Sequence, residues 1–141
     1  MRAVVDTNVI VSASLIRNGN ENRVLRAWQR GAFDLVLSPQ ILEEVGRALF
    51  YERIRERRWM TDADVVEFLE ALAAASVLVP GRRRVRASRD PDDDKFLGAA
   101  LEAGARFVIS GDRDLLALRR FRNVRLVSPA TFLRVLRDDD A

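Results

Sequence analysis

Five short apolar runs, separated by stretches of helical pattern, constrain this chain to an α/β fold. They are Arg2–Val5, Asp34–Leu37, S-V-L-V at 76–79, F-V-I-S at 107–110 and Val124–Val127. Each is nearly continuous in apolar character rather than alternating, as strands covered on both faces are. Strands of that kind are parallel, and parallel strands need crossovers, which the intervening helical segments supply. Start and stop residues mark those helices. Asn20 opens one that Gly31 closes, and Ser38-Pro39 sets a cap before a proline at the first helical position. Thr61–Asp64 resembles a capping box ahead of an apolar stretch at 65–75. Asp90-Pro91 opens a helix that ends at Gly104, and Ser128-Pro129 opens the last. The expectation is a three-layer α/β/α sandwich forming one domain over residues 1–137, with an acidic tail at 138–141.

A chain of 141 residues with 48% hydrophobic side chains buries enough surface to fold without staples. It contains neither cysteine nor histidine. That excludes thiol catalysis, Ser-His-Asp and Cys-His machinery, and ordinary zinc hydrolase sites. Chemistry must come from carboxylates, hydroxyls, arginine or the lone lysine, Lys95. Abundant carboxylates without imidazole favour a hard cation, Mg²⁺ or Mn²⁺. No apolar stretch is long enough to span a bilayer, and Met1 leads directly into the first strand, so a cytoplasmic protein is expected. The net charge of +3 rests almost wholly on arginine, which suits phosphate but also follows from base composition of a genome.

The site of an open α/β fold lies beyond the C-terminal ends of its strands. Asp6 ends the first run and reads equally as helix cap or ligand. On the helix after Pro39, Ile41, Leu42, Val45, Ala48 and Leu49 form the apolar stripe. At about 100° per residue Glu43 lies opposite that stripe, one turn before Arg47, while Glu44 lies at its border. Glu44 is therefore the candidate of the two, against the plainer reading of a border glutamate in solvent. In Asp90–Lys95, capping accounts for Asp90 and Asp92, but Asp93 is in line with Phe96, Leu97 and Ala100. A charge phased towards the core needs compensation, and a cation provides it. Asp112 repeats the strand-then-acid arrangement and is favoured as ligand, with Asp114 as cap or outer-sphere partner. Carboxylates about 5 Å apart repel by roughly 3 kcal/mol per pair at an effective dielectric near 20, so such a rim calls for protons or a cation.

The segments V-V-D-T-N at 4–8, S-P-Q-I-L-E-E-V at 38–45, D-P-D-D-D-K-F-L-G-A-A-L at 90–101, S-G-D-R-D-L-L at 110–116 and S-P-A-T-F-L at 128–133 together resemble the PIN-domain family. In particular they resemble its bacterial members that are toxins of toxin–antitoxin systems. The resemblance implies a five-stranded parallel sheet in the order 3-2-1-4-5. It implies an endoribonuclease that cleaves single-stranded or loop RNA through a metal-activated water. It carries the acidic positions onto Asp6, Glu44, Asp93 and Asp112, a less constant acid onto Asp114, and polar positions beside the metal onto Thr7, Asn8 and Ser110. A cognate antitoxin and a homodimer are further implications.

Two rivals stand beside this reading. A phospho-aspartyl phosphatase would want an acid where Asn8 stands, and a receiver domain would want its lysine after the last strand, not at Lys95. A non-catalytic RNA- or protein-binding domain would use the arginines. Arg82, Arg83, Arg84, Arg86 and Arg89 lead into the acidic helix and are the candidates for an RNA path. Arg55, Arg57 and Arg58, beside Trp59, read as a solvated surface.

Overall fold

The computed structural model describes residues 1–140. In chain order the elements are β1 (Arg2–Val5), α1 (Thr7–Leu15), α2 (Asn20–Gln29), β2 (Asp34–Leu37), α3 (Pro39–Phe50), α4 (Glu52–Arg57), α5 (Asp62–Ala75) and β3 (Val77–Leu78). After a long irregular segment follow α6 (Asp94–Ala103), β4 (Phe107–Ile109), α7 (Arg113–Ala117), β5 (Arg120–Phe121), β6 (Val124–Val127) and α8 (Pro129–Asp140). The sheet order is β3-β2-β1-β4-β6-β5.

The five apolar runs pair in parallel in the expected order. The strand count differs from five: β5 adds a two-residue antiparallel edge to β6, so the sheet is mixed. Its hairpin turns at Arg122-Asn123, with Arg122 at φ 53°. Hairpin turns with positive φ normally advertise themselves by Asn-Gly or Asp-Gly, and arginine gives no such signal.

Local chemistry explains most helix boundaries. The Ser38 hydroxyl accepts from the Ile41 amide at 3.3 Å with Pro39 inside the first turn. Thr61 and Asp64 form the reciprocal capping box. Gly104 closes α6 at φ 63°, a left-handed conformation that costs glycine nothing. Three features depart from the sequence reading. The segment after Asp90 first makes a single 3₁₀ turn, Pro91–Asp93, and the α-helix starts at Asp94. Helix α1 shows little amphipathic pattern because Thr7, Val9, Ile10, Ala13 and Ser14 are all buried. Helix α8 continues through Asp138 and Asp139, where the sequence suggested a tail.

Core packing fixes the layers. Phe132 of α8 meets Phe33 and Phe107 edge-on, with ring centroids at 4.9 and 5.6 Å, which seats α8 against the sheet beside α2. Helix α6 packs on β1, β2, β4 and β6. Right-handed crossovers put α6 on the face opposite α1 and α2, because the chain reverses direction across the sheet between β3 and β4. The reversal falls between β1 and β4, whose ends pair Val5 with Ile109. The switch-point crevice therefore opens just beyond those two residues. No helix among the described residues is long and apolar enough to cross a membrane.

Candidate active site

Asp6 is the first residue past β1. It is 3% exposed, and its amide extends the β1–β4 ladder by donating to the Ile109 carbonyl at 2.9 Å. Of the two readings of its side chain, the helix cap is present. One oxygen caps α1 by accepting from the Asn8 amide at 3.1 Å, and the other accepts from the Ser110 hydroxyl at 2.7 Å. Burial raises the Asp6 pKa; the two hydrogen bonds oppose that, and the charges of Glu44 and Asp112 add to it. Next to it, the Thr7 hydroxyl is buried without a hydrogen-bond partner in the protein.

Ser110, one residue past β4, links two acids. Its hydroxyl donates to Asp6 and accepts from the Asp112 amide at 3.0 Å. Asp112 in turn caps α7, one carboxylate oxygen accepting from the amides of Asp114 at 2.7 Å and Leu115 at 3.4 Å. The Asp114 side chain is 51% exposed and stands 3.7 Å from the Arg89 guanidinium.

Asp93 occupies the junction between the 3₁₀ turn and α6, and its side chain makes no capping hydrogen bond. Its pKa is pushed up to about 6, first by burial, then by Asp112, Asp6 and Asp90, against the opposing charge of Lys95. Its neighbours behave as plain helix-start residues: Asp90 accepts from the Asp92 amide at 3.0 Å. Glu43 makes only the solvated contact with Arg47, at 3.9 Å. Glu44 is half-buried and ion-paired with Lys95. The same ammonium donates to the Asp92 carbonyl at 2.7 Å.

The charges of Glu44 and Asp112 thus reach Asp6, and those of Asp112 and Asp6 reach Asp93, whereas Asp114 contributes to neither shift. Among the described residues no group of three acids is arranged to hold an ion as it stands. The oxygens of Asp6 are engaged by Ser110 and Asn8, and Glu44 is engaged by Lys95. The donor chemistry still fits a hard divalent ion: all-oxygen, mutually repelling, and beside an unpartnered buried hydroxyl.

The arginine segment is strapped over α6. Glu102 accepts from the amides of Gly81 at 3.2 Å and Arg83 at 2.9 Å, and Asp94 accepts from the amides of Ala87 at 3.2 Å and Ser88 at 2.8 Å. Burial works to raise the Asp94 pKa, but the Ser88 hydroxyl and these amides hold it below the usual value. Arg83, Arg84 and Arg86 line a cavity of about 610 Å³ that also contains Lys95 and Asp94. Arg82 is exposed beside it, and Arg89 reaches Asp114 instead. Sequence reasoning missed the Lys95–Glu44 pair, the bridging role of Ser110 and the strap made by Asp94. Only the presence of a single lysine in an arginine-rich chain hinted at the first.

A mostly parallel α/β sheet with carboxylates gathered at its switch point defines the class: an open-sheet domain with an acidic crevice. The chain belongs to the PIN domain family, which it matches over residues 2–114, a stretch that holds all five acids. PIN domains are in general nucleases, and hydrolase chemistry fits this crevice. The chain is also similar to an uncharacterized protein of Methanocaldococcus jannaschii, 30% identical over 135 residues that cover 92% of this chain and 86% of that one.

Proposed function

We propose that this PIN domain is a metal-dependent endoribonuclease that hydrolyses RNA phosphodiester bonds with Mg²⁺ or Mn²⁺ held by Asp6, Glu44, Asp93 and Asp112. The carrying observation is that Asp93, pushed up to about 6 first by burial, also feels the charges of Asp112 and Asp6 beside it. A native state that crowds ionisable acids without neutralising them is costly unless a cation is its working partner. A bound divalent ion supplies an activated water and shields the leaving oxygen.

The chain's own residues organise the rest. Ser110 holds Asp6 and the Asp112 amide in one frame, and the Thr7 hydroxyl and exposed Asn8 add polar atoms beside Asp6. Lys95 balances the charge of Glu44 and is the ammonium available to an RNA phosphate. Arg83, Arg84 and Arg86, in the same cavity, with Arg82 and Arg89 on the same chain segment, provide the phosphate approach. Asp114 orients Arg89 rather than an ion. The physiological setting we propose is a toxin restrained by a cognate antitoxin, with a homodimer as the working assembly in the cytoplasm.

Purified protein is expected to cut labelled single-stranded RNA with Mg²⁺ or Mn²⁺ and to stop on chelation. Cleavage that survives exhaustive EDTA treatment would sink the metal reading. RNA binding without cleavage under any divalent ion would establish instead the non-catalytic role, which the Lys95–Glu44 pair favours by occupying a ligand. For the toxin role, induced expression should arrest growth, and co-expression of a neighbouring antitoxin gene should relieve it.

A further inference from the structure

Away from the acidic crevice, α2 and α8 run side by side with a groove between them. The groove encloses about 450 Å³ and is lined by Arg23, Arg26, Arg30, Arg134 and Arg137 together with small and aliphatic side chains. On α2 the arginines recur at three- and four-residue steps, so they form one stripe along the helix. A second cavity, of about 490 Å³, adjoins it and is lined by Arg119, Arg120 and Arg125. The two meet on α8, where Arg134 of the first cavity donates to Thr131 of the second at 3.3 Å. Among the described side chains, which end at Asp139, none of these eight arginines is ion-paired. That holds although Glu21, Asp138 and Asp139 lie on the same two helices. Like charges packed along a groove without counter-charges oppose the fold they sit on, so a polyanion is their natural complement.

We infer that the α2–α8 groove and its extension over the β5–β6 hairpin form a second nucleic-acid site, a track that grips the sugar–phosphate backbone. One feature favours a backbone over an acidic protein segment. The arginines, whose planar forks take phosphate and carboxylate oxygens alike, are strung out at regular steps: Arg23 to Arg30 spans about 10 Å of helix, the length of about three phosphates along a helical strand. No aromatic side chain lines either cavity, so bases find no stacking surface and binding is indifferent to sequence. Arg119 lies just past the C-terminal end of α7, the short helix whose first turn Asp112 caps, so the second cavity and the crevice flank one short element. The inference rests on the nuclease reading only for the use made of the bound strand. As a binding site the track stands whether or not the crevice cuts.

The test is fluorescence anisotropy of a labelled 20-nucleotide mixed-sequence RNA in EDTA, where cleavage plays no part, measured across a salt series. R23A/R26A/R134A should bind at least about tenfold more weakly, with the salt slope reduced by about 2, near 0.7 per lost phosphate contact. The matching lysine triple variant should keep most of both, which separates lost charge from damaged packing. Unchanged affinity and slope in the alanine variant would overturn the track. So would displacement of the RNA by poly-glutamate at equal charge concentration, since an acidic protein segment would then be the better-matched occupant. Loss of cleavage with these results intact would refute only the nuclease reading.

Discussion

Replacing Asp93 by asparagine should stabilise the metal-free protein. The unfolded chain ionises this acid near 3.8, the native crevice only at about 6. The neutral acid therefore favours the native state fully below the unfolded value, and that advantage is lost as pH rises through the folded value. Above about pH 6 the native state carries the whole cost of the charge. The shift would be worth about 3 kcal/mol at about 1.4 per unit, but Asp93 is only half-buried and water screens its neighbours, leaving about 1–2 kcal/mol. Asparagine escapes that cost, although losing a negative charge at the start of α6 takes back up to about 1 kcal/mol. The net gain is about 1 kcal/mol, or a rise in Tm of about 3 °C. At pH 4.5 the penalty shrinks to about a third, and the variant should lose its advantage. The assay is a set of thermal melts of both proteins at pH 7.5 and 4.5 in EDTA, repeated at pH 7.5 with excess Mg²⁺. The ion should stabilise the wild type more than the variant, since only the intact site binds it well. A variant that is less stable than wild type at pH 7.5 in EDTA, with equal gains from Mg²⁺, would refute the reasoning and leave Asp93 a helix-start residue.

Within the acidic pairs, Glu44→Gln and Asp93→Asn should abolish RNA cleavage, while Glu43→Gln and Asp92→Asn change it less than about threefold in the same assay. Gly98→Ala should destabilise by about 1–3 kcal/mol in urea titrations, because its new Cβ would meet the Arg83 carbonyl oxygen at 2.7 Å and push the arginine segment off α6. Trypsin should then cut that segment faster, and an unchanged digestion rate would show that the strap yields without loosening. Ser110→Ala strips a donor from buried Asp6 and an acceptor from the Asp112 amide, so thermal melts should report a loss of about 1–3 kcal/mol. Ser110→Thr, which keeps the hydroxyl, should recover part of it.

Much of this protein is legible without coordinates because its signals are local. Continuous apolar runs specify buried parallel strands, and Ser38-Pro39, Thr61–Asp64 and Gly104 mark helix ends through hydrogen bonds within a few residues of themselves. Helix phase points to Glu44 over Glu43 on α3, since phase depends only on the residues of one helix; the same phasing picks Asp93 over Asp92, although both lie in the 3₁₀ turn that precedes α6. The β5 hairpin escaped because an arginine, Arg122, occupies the positive-φ position of its turn, and α1 escaped because burial of most of its residues blurs periodicity. Pairings between distant segments belong to the tertiary structure alone. Ser110 reaches Asp6 across 104 residues of sequence, and Lys95 finds Glu44 because α3 and α6 converge at one crevice. The arginine groove exists only because α2 and α8 lie side by side. Sequence pattern reports what each segment prefers beside its own neighbours. Which charges meet is decided by the packing of helices on the sheet, where a partner's identity depends on three-dimensional distance and not on spacing along the chain.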